Sequence, residues 1–227
     1  MTSKKPDFKK ANVKANELLV IAKDICSFPF KVSSIIKQDE HIQMKNFEYA
    51  KQHGIDIEAF GSKSAVLQQK GDKYIIFYNQ DEMKERVRFS ILHEYGHYSL
   101  KHKMNNLGEE EYGRNEVEAN CFAAQLLMPE QIINELQNRG ARISKEFLMT
   151  QFGVSGEAAE RRLTTMGKLN HSWRSDEEKF YDETIMFKFD TYMNSVIPKK
   201  NANNWYSDEF DRQRERDSWE YDRRTRY

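Results

Sequence analysis

The string His93-Glu94-Tyr95-Gly96-His97 constrains this chain more than any other feature. The surrounding segment, DEMKERVRFSILHEYGHYSLKH from Asp81, repeats apolar residues at Val87, Ile91, Tyr95 and Tyr98, the spacing of a half-buried helix. Residues four apart on a helix share a face, so both imidazoles reach one metal ion. Glu94 lies about 100° around from His93. That is wrong for a third ligand and right for accepting a proton from a water activated at the metal. With six His and 23 Glu in 227 residues, such a string arises by chance in roughly one or two chains in a hundred. The helical setting, not the string alone, therefore carries the reading. Gly96 adds a second constraint, because a helix-interior glycine costs about 1 kcal/mol relative to alanine. Close approach of another element would give it a reason.

A catalytic metal site needs a third protein ligand and an open position. The next apolar helix, RNEVEANCFAAQLLMP, follows a Gly-containing loop over 104–113 and is halted at Pro129. Antiparallel packing of the two helices would put His97 about 10 Å before the loop and Glu118 about 7 Å beyond it, so their levels match. Glu116 and Glu118 stand about 200° apart, so only one of them can face the metal. The helical wheel leaves both open. Glu116 lies nearer the middle of the Ala119/Phe122/Ala123/Leu126 stripe, whereas Glu118 shares a side with Cys121 and Gln125. Two histidines and a carboxylate suit zinc and also admit manganese or iron.

Upstream, residues 11–26 read as an amphipathic helix ahead of Pro29, and a short helix over 43–53 stops at Gly54. Three short β-rich runs follow: IDIEAF (55–60), SAVLQQ (64–69) and KYIIFYN (73–79). They predict a small antiparallel sheet whose second and third strands form a hairpin at Gly71-Asp72. Asn79 or Asp81 is the expected cap of the histidine-bearing helix. Downstream helices are expected over 130–139, 143–152 and 156–167, with Gly153 ending one and Ser155 capping the next. The fold class is α+β: a three-stranded antiparallel sheet packed on helices, followed by a helical segment and a charged extension. The expected division is 1–128 for the sheet and metal-site helices, 129–170 for a segment of helix-turn-helix character, and 171–227 for the extension.

Composition excludes several classes. Lys+Arg and Asp+Glu are both 36, which disfavours a strongly basic nucleic-acid binder. The start, MTSKKPDFKK, has no apolar run after it, so no secretory signal is expected, and no stretch is long enough to span a bilayer. Two cysteines make no disulfide framework, and a reducing cytoplasm is the expected compartment. All ten glycines lie at or before Gly167 and all three tryptophans after it. In the last stretch, WYSDEFDRQRERDSWEYDRRTRY, a helix around 207–221 would gather Phe210, Arg214 and Asp217 or Ser218 on one side. This reads as a partner-binding tail or a solvated one.

Other residues invite weaker readings. His102, five beyond His97, falls about 140° away on a continued helix and is expected to be solvated. His41, His53 and His171 show no partner pattern. Cys121 is expected to be a small buried side chain, not a thiolate ligand. Tyr95 and Tyr98 could stabilise an oxyanion but sit at core spacing. Residues 143–167 place Arg161 and Arg162 on a second helix. Direct DNA binding stays open there, although the basic excess is weak and a packing or substrate-docking role is preferred.

HEYGH preceded by VRFSIL, then EANCFAAQLLMP and FGVSGEAAERRL, resembles the ImmA/IrrE family of bacterial and phage metallopeptidases over roughly residues 15–170. The resemblance implies a zincin-like core in which His93, His97 and the Glu of E-A-N, Glu118, bind zinc, with Glu94 as general base. It also implies site-specific cleavage of a helix-turn-helix repressor, relieving repression of a mobile element or stress regulon. The competing classes are a protein that sequesters a repressor or binds DNA without proteolysis, and a toxin–antitoxin component. The extension beyond 170 has no counterpart in the resemblance.

Overall fold

The computed structural model describes residues 5–103, 107–166 and 174–198. His171, the three tryptophans and the helix expected around 207–221 lie outside them. Ten α-helices and one short 3-10 helix are seen among the described residues, with one three-stranded sheet, so the α+β class holds.

The sheet is mixed, not antiparallel throughout. Its strands are β1 (Ile42–Asn46), β2 (Ala65–Lys70) and β3 (Lys73–Tyr78), in the spatial order β1-β3-β2. β2 and β3 form the expected hairpin, with Lys70 opposite Lys73 and Gly71 at φ 62° in the two-residue turn. β1 runs parallel to β3, Ile42 opposite Tyr74. It occupies the start of the segment expected to be helical over 43–53. The helix that remains, α3 (Phe47–Gln52), begins where the Asn46 side chain accepts from Tyr49 N. The run over 55–60 is not a strand. Asp56 Oδ1 accepts from Glu58 N, closing a turn that continues as a 3-10 helix over Glu58–Phe60 and ends at left-handed Gly61. The chain passes from β1 over the end of β3 to β2 and returns along β2, so residues 47–72 together make the connection that the parallel pairing of β1 and β3 requires.

The histidine-bearing helix is α4 (Lys84–Ser99), starting later than its expected caps. Asn79 Oδ1 instead accepts from Asp81 N in a local turn before the helix. Next come α5 (Glu109–Leu127) and α6 (Glu130–Asn138), then α7 (Lys145–Phe152) and α8 (Gly156–Met166). Between the last two, Gly153 adopts φ 59° and Ser155 Oγ accepts from Ala158 N, as expected. α1 (Phe8–Ile21) lies earlier than the sequence pattern indicates, its N-terminus capped by Asp7. α2 (Ser33–Ile36) is a single turn.

Packing runs from the sheet to α4, then α5, α1 and α9 (Asp176–Lys188). α10 (Asp190–Val196) follows. Ile185, Phe189, Tyr192 and Met193 from α9 and α10 enter the same buried cluster as α1 and α5. Lys188 Nζ donates to the carbonyls of Leu19 and Ala22, satisfying the C-terminal end of α1. The far sheet face holds a smaller cluster of Phe47, Ala50 and Phe77. No helix among the described residues is long and apolar enough to cross a membrane.

α4 and α5 approach each other closely at Gly96. A Cβ there would lie 3.0 Å from Phe122 Cδ1 and 3.2 Å from Ala119 Cα. The close approach that the sequence demanded is therefore α5. Gly96→Ala should lose stability despite its better helix propensity, by about 1–3 kcal/mol from overpacking. Urea denaturation checks this, and a variant as stable as the parent would contradict the tight contact.

Candidate metal centre

Three side chains converge where α4 faces α5. His97 Nε2 lies 3.1 Å from His93 Nε2, and Glu116 carboxylate oxygens lie 3.3 Å from each of these nitrogens. A tetrahedral ion about 2.0–2.1 Å from its donors spaces them roughly 3.3 Å apart. The observed triangle fits such an ion. His93, His97 and Glu116 form the one group of this kind found among the described residues.

Of the two acidic candidates on α5, Glu116 is the one beside the histidines, whereas Glu118, the position that the family resemblance implied, lies elsewhere. The reason is packing. Glu116 precedes Ala119 by three residues, so it shares the face that touches Gly96. Glu118 turns toward the start of the chain, where Oε1 accepts from Asp7 N at 2.8 Å. Its other oxygen lies 3.1 Å from His102 Nε2.

Each histidine is held from behind. Asn120 Oδ1 is 3.0 Å from His93 Nδ1, and His102 Nδ1 is 3.0 Å from His97 Nδ1. Such partners fix the ring orientation of a ligating histidine. His102 is thus not solvated: its side chain is only 5% exposed. α4 ends at Ser99, and Lys101 adopts φ 58°, which folds His102 back toward His97. Angles from a continued helix do not apply to it.

Glu94 lies beside the triangle. Its Oε2 accepts from Leu67 N on β2 at 2.9 Å, tying the carboxylate to the sheet edge and leaving the other oxygen for chemistry. Burial raises its pKa, while the nearby His93 and His97 act in the opposite direction. Burial alone would lower His93, yet its hydrogen bond to the Glu116 carboxylate and the charges of Glu94 and Glu116 leave it raised. Hydrogen bonds from His93 and His97 hold Glu116 well below the usual carboxylate range. Burial lowers His102, favouring a neutral ring.

Sequence reasoning missed Asn120 and Tyr112. Tyr112 stands beside Glu116, whose charge raises the phenol pKa. The signal was available: Tyr112, Glu116 and Asn120 recur every four residues, a polar stripe on one face of α5. Tyr95 and Tyr98 are not at the metal face. Tyr95 is buried against Phe122, and Tyr98 donates to Asp39 Oδ2 at 2.7 Å. His41 is exposed, and His53 stacks on Tyr49.

A cavity of about 480 Å³ opens in front of His93, Glu94, His97, Tyr112 and Glu116. A second, of about 800 Å³, lies between α1 and the end of α4, lined by Leu18, Ile21, Tyr74 and Tyr98. Leu67 and His97 border both.

The remaining candidate, Cys121, points away. Its Sγ is 3.3 Å from Asn12 Oδ1, and burial pushes the thiol pKa up to about 11. A thiol reacts as its thiolate, so Cys121 stays inert near pH 8 while exposed Cys26 reacts. Alkylation of native protein should therefore modify one cysteine rapidly, with Cys121 reacting only on unfolding. Two equally fast thiols would refute this placement.

The sequence model of a peptidase family, described as the IrrE N-terminal-like domain, matches residues 50–164. Metallopeptidase ImmA of Bacillus subtilis (strain 168) is 27% identical over 124 residues, covering 52% of this chain and 72% of that protein.

Proposed function

The chain belongs to the ImmA/IrrE family of metallopeptidases, and on that premise we propose that it is a zinc-dependent endopeptidase. His93, His97 and Glu116 hold the metal, and Glu94 is the general base. The observation that carries this reading is the triangle of donors 3.1–3.3 Å apart, with a sheet-anchored carboxylate beside it. Zinc, when bound, polarises a peptide carbonyl and lowers the pKa of water.

The chain's own residues do the rest. Leu67 N–H holds Glu94 Oε2, which leaves Oε1 to take the proton of the attacking water. The same carboxyl then delivers that proton to the leaving amine. Burial suits both duties, since it brings the carboxyl closer to the neutral form it must adopt in between. The two cavities that meet at Leu67 and His97 can take polypeptide on either side of the scissile bond.

The substrate we propose is a helix-turn-helix repressor, whose cleavage would relieve repression. Family membership and the likeness to Metallopeptidase ImmA support this choice. DNA as the target of 143–167 finds little support. Arg162 is 3% exposed and donates to Gln125, while Arg161 pairs with Glu157 at 2.7 Å. Neither offers a free cation to phosphates.

Purified protein loaded with zinc and incubated with such a repressor should yield two fragments. Chelation should stop cleavage, and added zinc should restore it. Glu94→Gln should keep about one zinc per chain and lose at least about 100-fold in rate, whereas Glu116→Ala should lose the metal. Full activity in Glu94→Gln would end this mechanism. A stable, uncleaved complex with the wild-type protein would instead make the chain a sequestering protein.

A further inference from the structure

We infer that the cavity between α1 and the end of α4 is a substrate subsite for an arginine side chain close to the scissile bond. The inference rests on the proposed peptidase activity at His93, His97 and Glu116, and it specifies part of the substrate. The cavity measures about 800 Å³ and meets the catalytic one at Leu67 and His97. A polypeptide whose scissile bond lies at the metal face therefore extends into it on one side. Clefts of this size enclose drug-sized ligands, so a long side chain and its adjoining backbone have room.

The walls select the side chain. Tyr74 and Tyr98 line the cavity with ring centroids 4.8 Å apart, and the Tyr95 ring lies 5.8 Å from that of Tyr98. Leu18 and Ile21 supply apolar surface from α1, and Ile21 is 47% exposed. Asp39 adds a carboxylate held from two directions. Its Oδ2 accepts from the Tyr98 hydroxyl at 2.7 Å, and its Oδ1 accepts from His41 N at 2.8 Å. These bonds orient the carboxylate without exhausting it, because each of its oxygens has two lone pairs.

The charges around the cavity favour a cation. Of the lysines and carboxylates that line it, Lys14 and Glu17 pair at 2.7 Å, which sets Asp39 and Glu40 against Lys101. An acidic side chain would be repelled by this surplus. An apolar one would cover Asp39 without giving its remaining lone pairs a partner, which is costly. A lysine would meet the charge with a compact, strongly hydrated ammonium that makes no planar, paired contact. Arginine satisfies both kinds of wall. Its flat guanidinium stacks on tyrosine rings and forms paired hydrogen bonds to a carboxylate. Its aliphatic stem would run along Leu18 and Ile21. Asp39 is the residue on which the selection turns, and the tyrosines provide the surface that holds the guanidinium plane.

The test uses the whole zinc-loaded protein and short peptide hydroxamates, with the metal-binding group before or after one variable residue. That residue is arginine, its uncharged isostere citrulline, leucine, phenylalanine or glutamate. Calorimetry should give the arginine probe an affinity about 10- to 100-fold above that of citrulline. Leucine, phenylalanine and glutamate should also bind more weakly than arginine. The NMR ring signals of Tyr74 and Tyr98 should move with the arginine probe, which locates its side chain in this cavity. Asp39→Asn should bind arginine and citrulline alike, and Asp39→Lys should prefer glutamate, with thermal melting to show that both variants are folded. The wild-type comparison decides even if neither variant folds. Equal binding of arginine and citrulline, tighter binding of leucine or phenylalanine, or unmoved Tyr74 and Tyr98 signals would overturn the subsite. Failure of the metal assignment looks different: no probe would then bind in a zinc-dependent way, Glu116→Ala would change nothing, and the subsite would fall with it.

Discussion

The close approach of the Gly96 backbone on α4 to Ala119 and Phe122 on α5, where a Cβ would find no room, determines where the rest of the site can lie. Helices separated by ordinary side chains keep their axes about 8–10 Å apart. A glycine opposite an alanine draws them together, and a short carboxylate one turn before Ala119 then lies within 3.3 Å of two imidazoles on the other helix. β2 packs on the same α4 and brings the Leu67 N–H to Glu94. Two elements thus close on α4, and each of the three contributes one kind of group: imidazoles from α4 itself, a carboxylate from α5, and a backbone donor from the sheet edge. The missing methyl of Gly96 is the condition for all of it.

The histidine-bearing helix was legible because its chemistry and its periodicity point the same way. The hairpin at Gly71 and the turn at Gly153 were legible because each needs φ > 0, which glycine supplies. The parallel strand β1 was not legible, since its partner β3 lies some thirty residues on and the pairing leaves no local signature. IDIEAF has the alternation of a strand, but the Asp56 side chain takes the backbone into a turn first. Glu116 and Glu118 could not be separated on a wheel, because both sides of α5 are packed. One faces α4, and the other faces the start of α1. Choosing between them required knowing which neighbour was which. His102 was misplaced for a simpler reason: the angle assumed a helix that ends at Ser99.

The helices beyond Pro129 are bound to the core by polar groups as well as by apolar ones. Arg88 on α4 donates through Nη1 to the carbonyls of Phe152 and Gly153, at the turn between α7 and α8. A Cβ at Gly153 would lie 2.8 Å from that same nitrogen. Arg162 on α8 reaches back to Gln125 on α5, whose Nε2 donates to Asn16 on α1 and to Gln131 on α6. Buried polar groups of this sort are costly unless paired, and once paired they define one arrangement of the elements around them. The segment of helix-turn-helix character therefore spends its most prominent arginine on packing.

The balance of 36 positive and 36 negative side chains acquires a structural meaning from this use of charge. Charges that could have formed a one-signed surface are consumed in pairs and caps: Lys188 on the end of α1, Lys9 on Glu178 at 3.1 Å, Arg139 on Glu135 at 2.8 Å. The composition changes near residue 170, yet α9 and α10 lie beyond it and pack on α1 and α6 all the same. Glycine content tracks turns and close approaches, and two helices joined end to end require neither. Among the described residues, the compositional break thus accompanies a change in local geometry, from a sheet and tight helix crossings to the two successive helices α9 and α10. The core that supports the metal-site helices draws side chains from both sides of it.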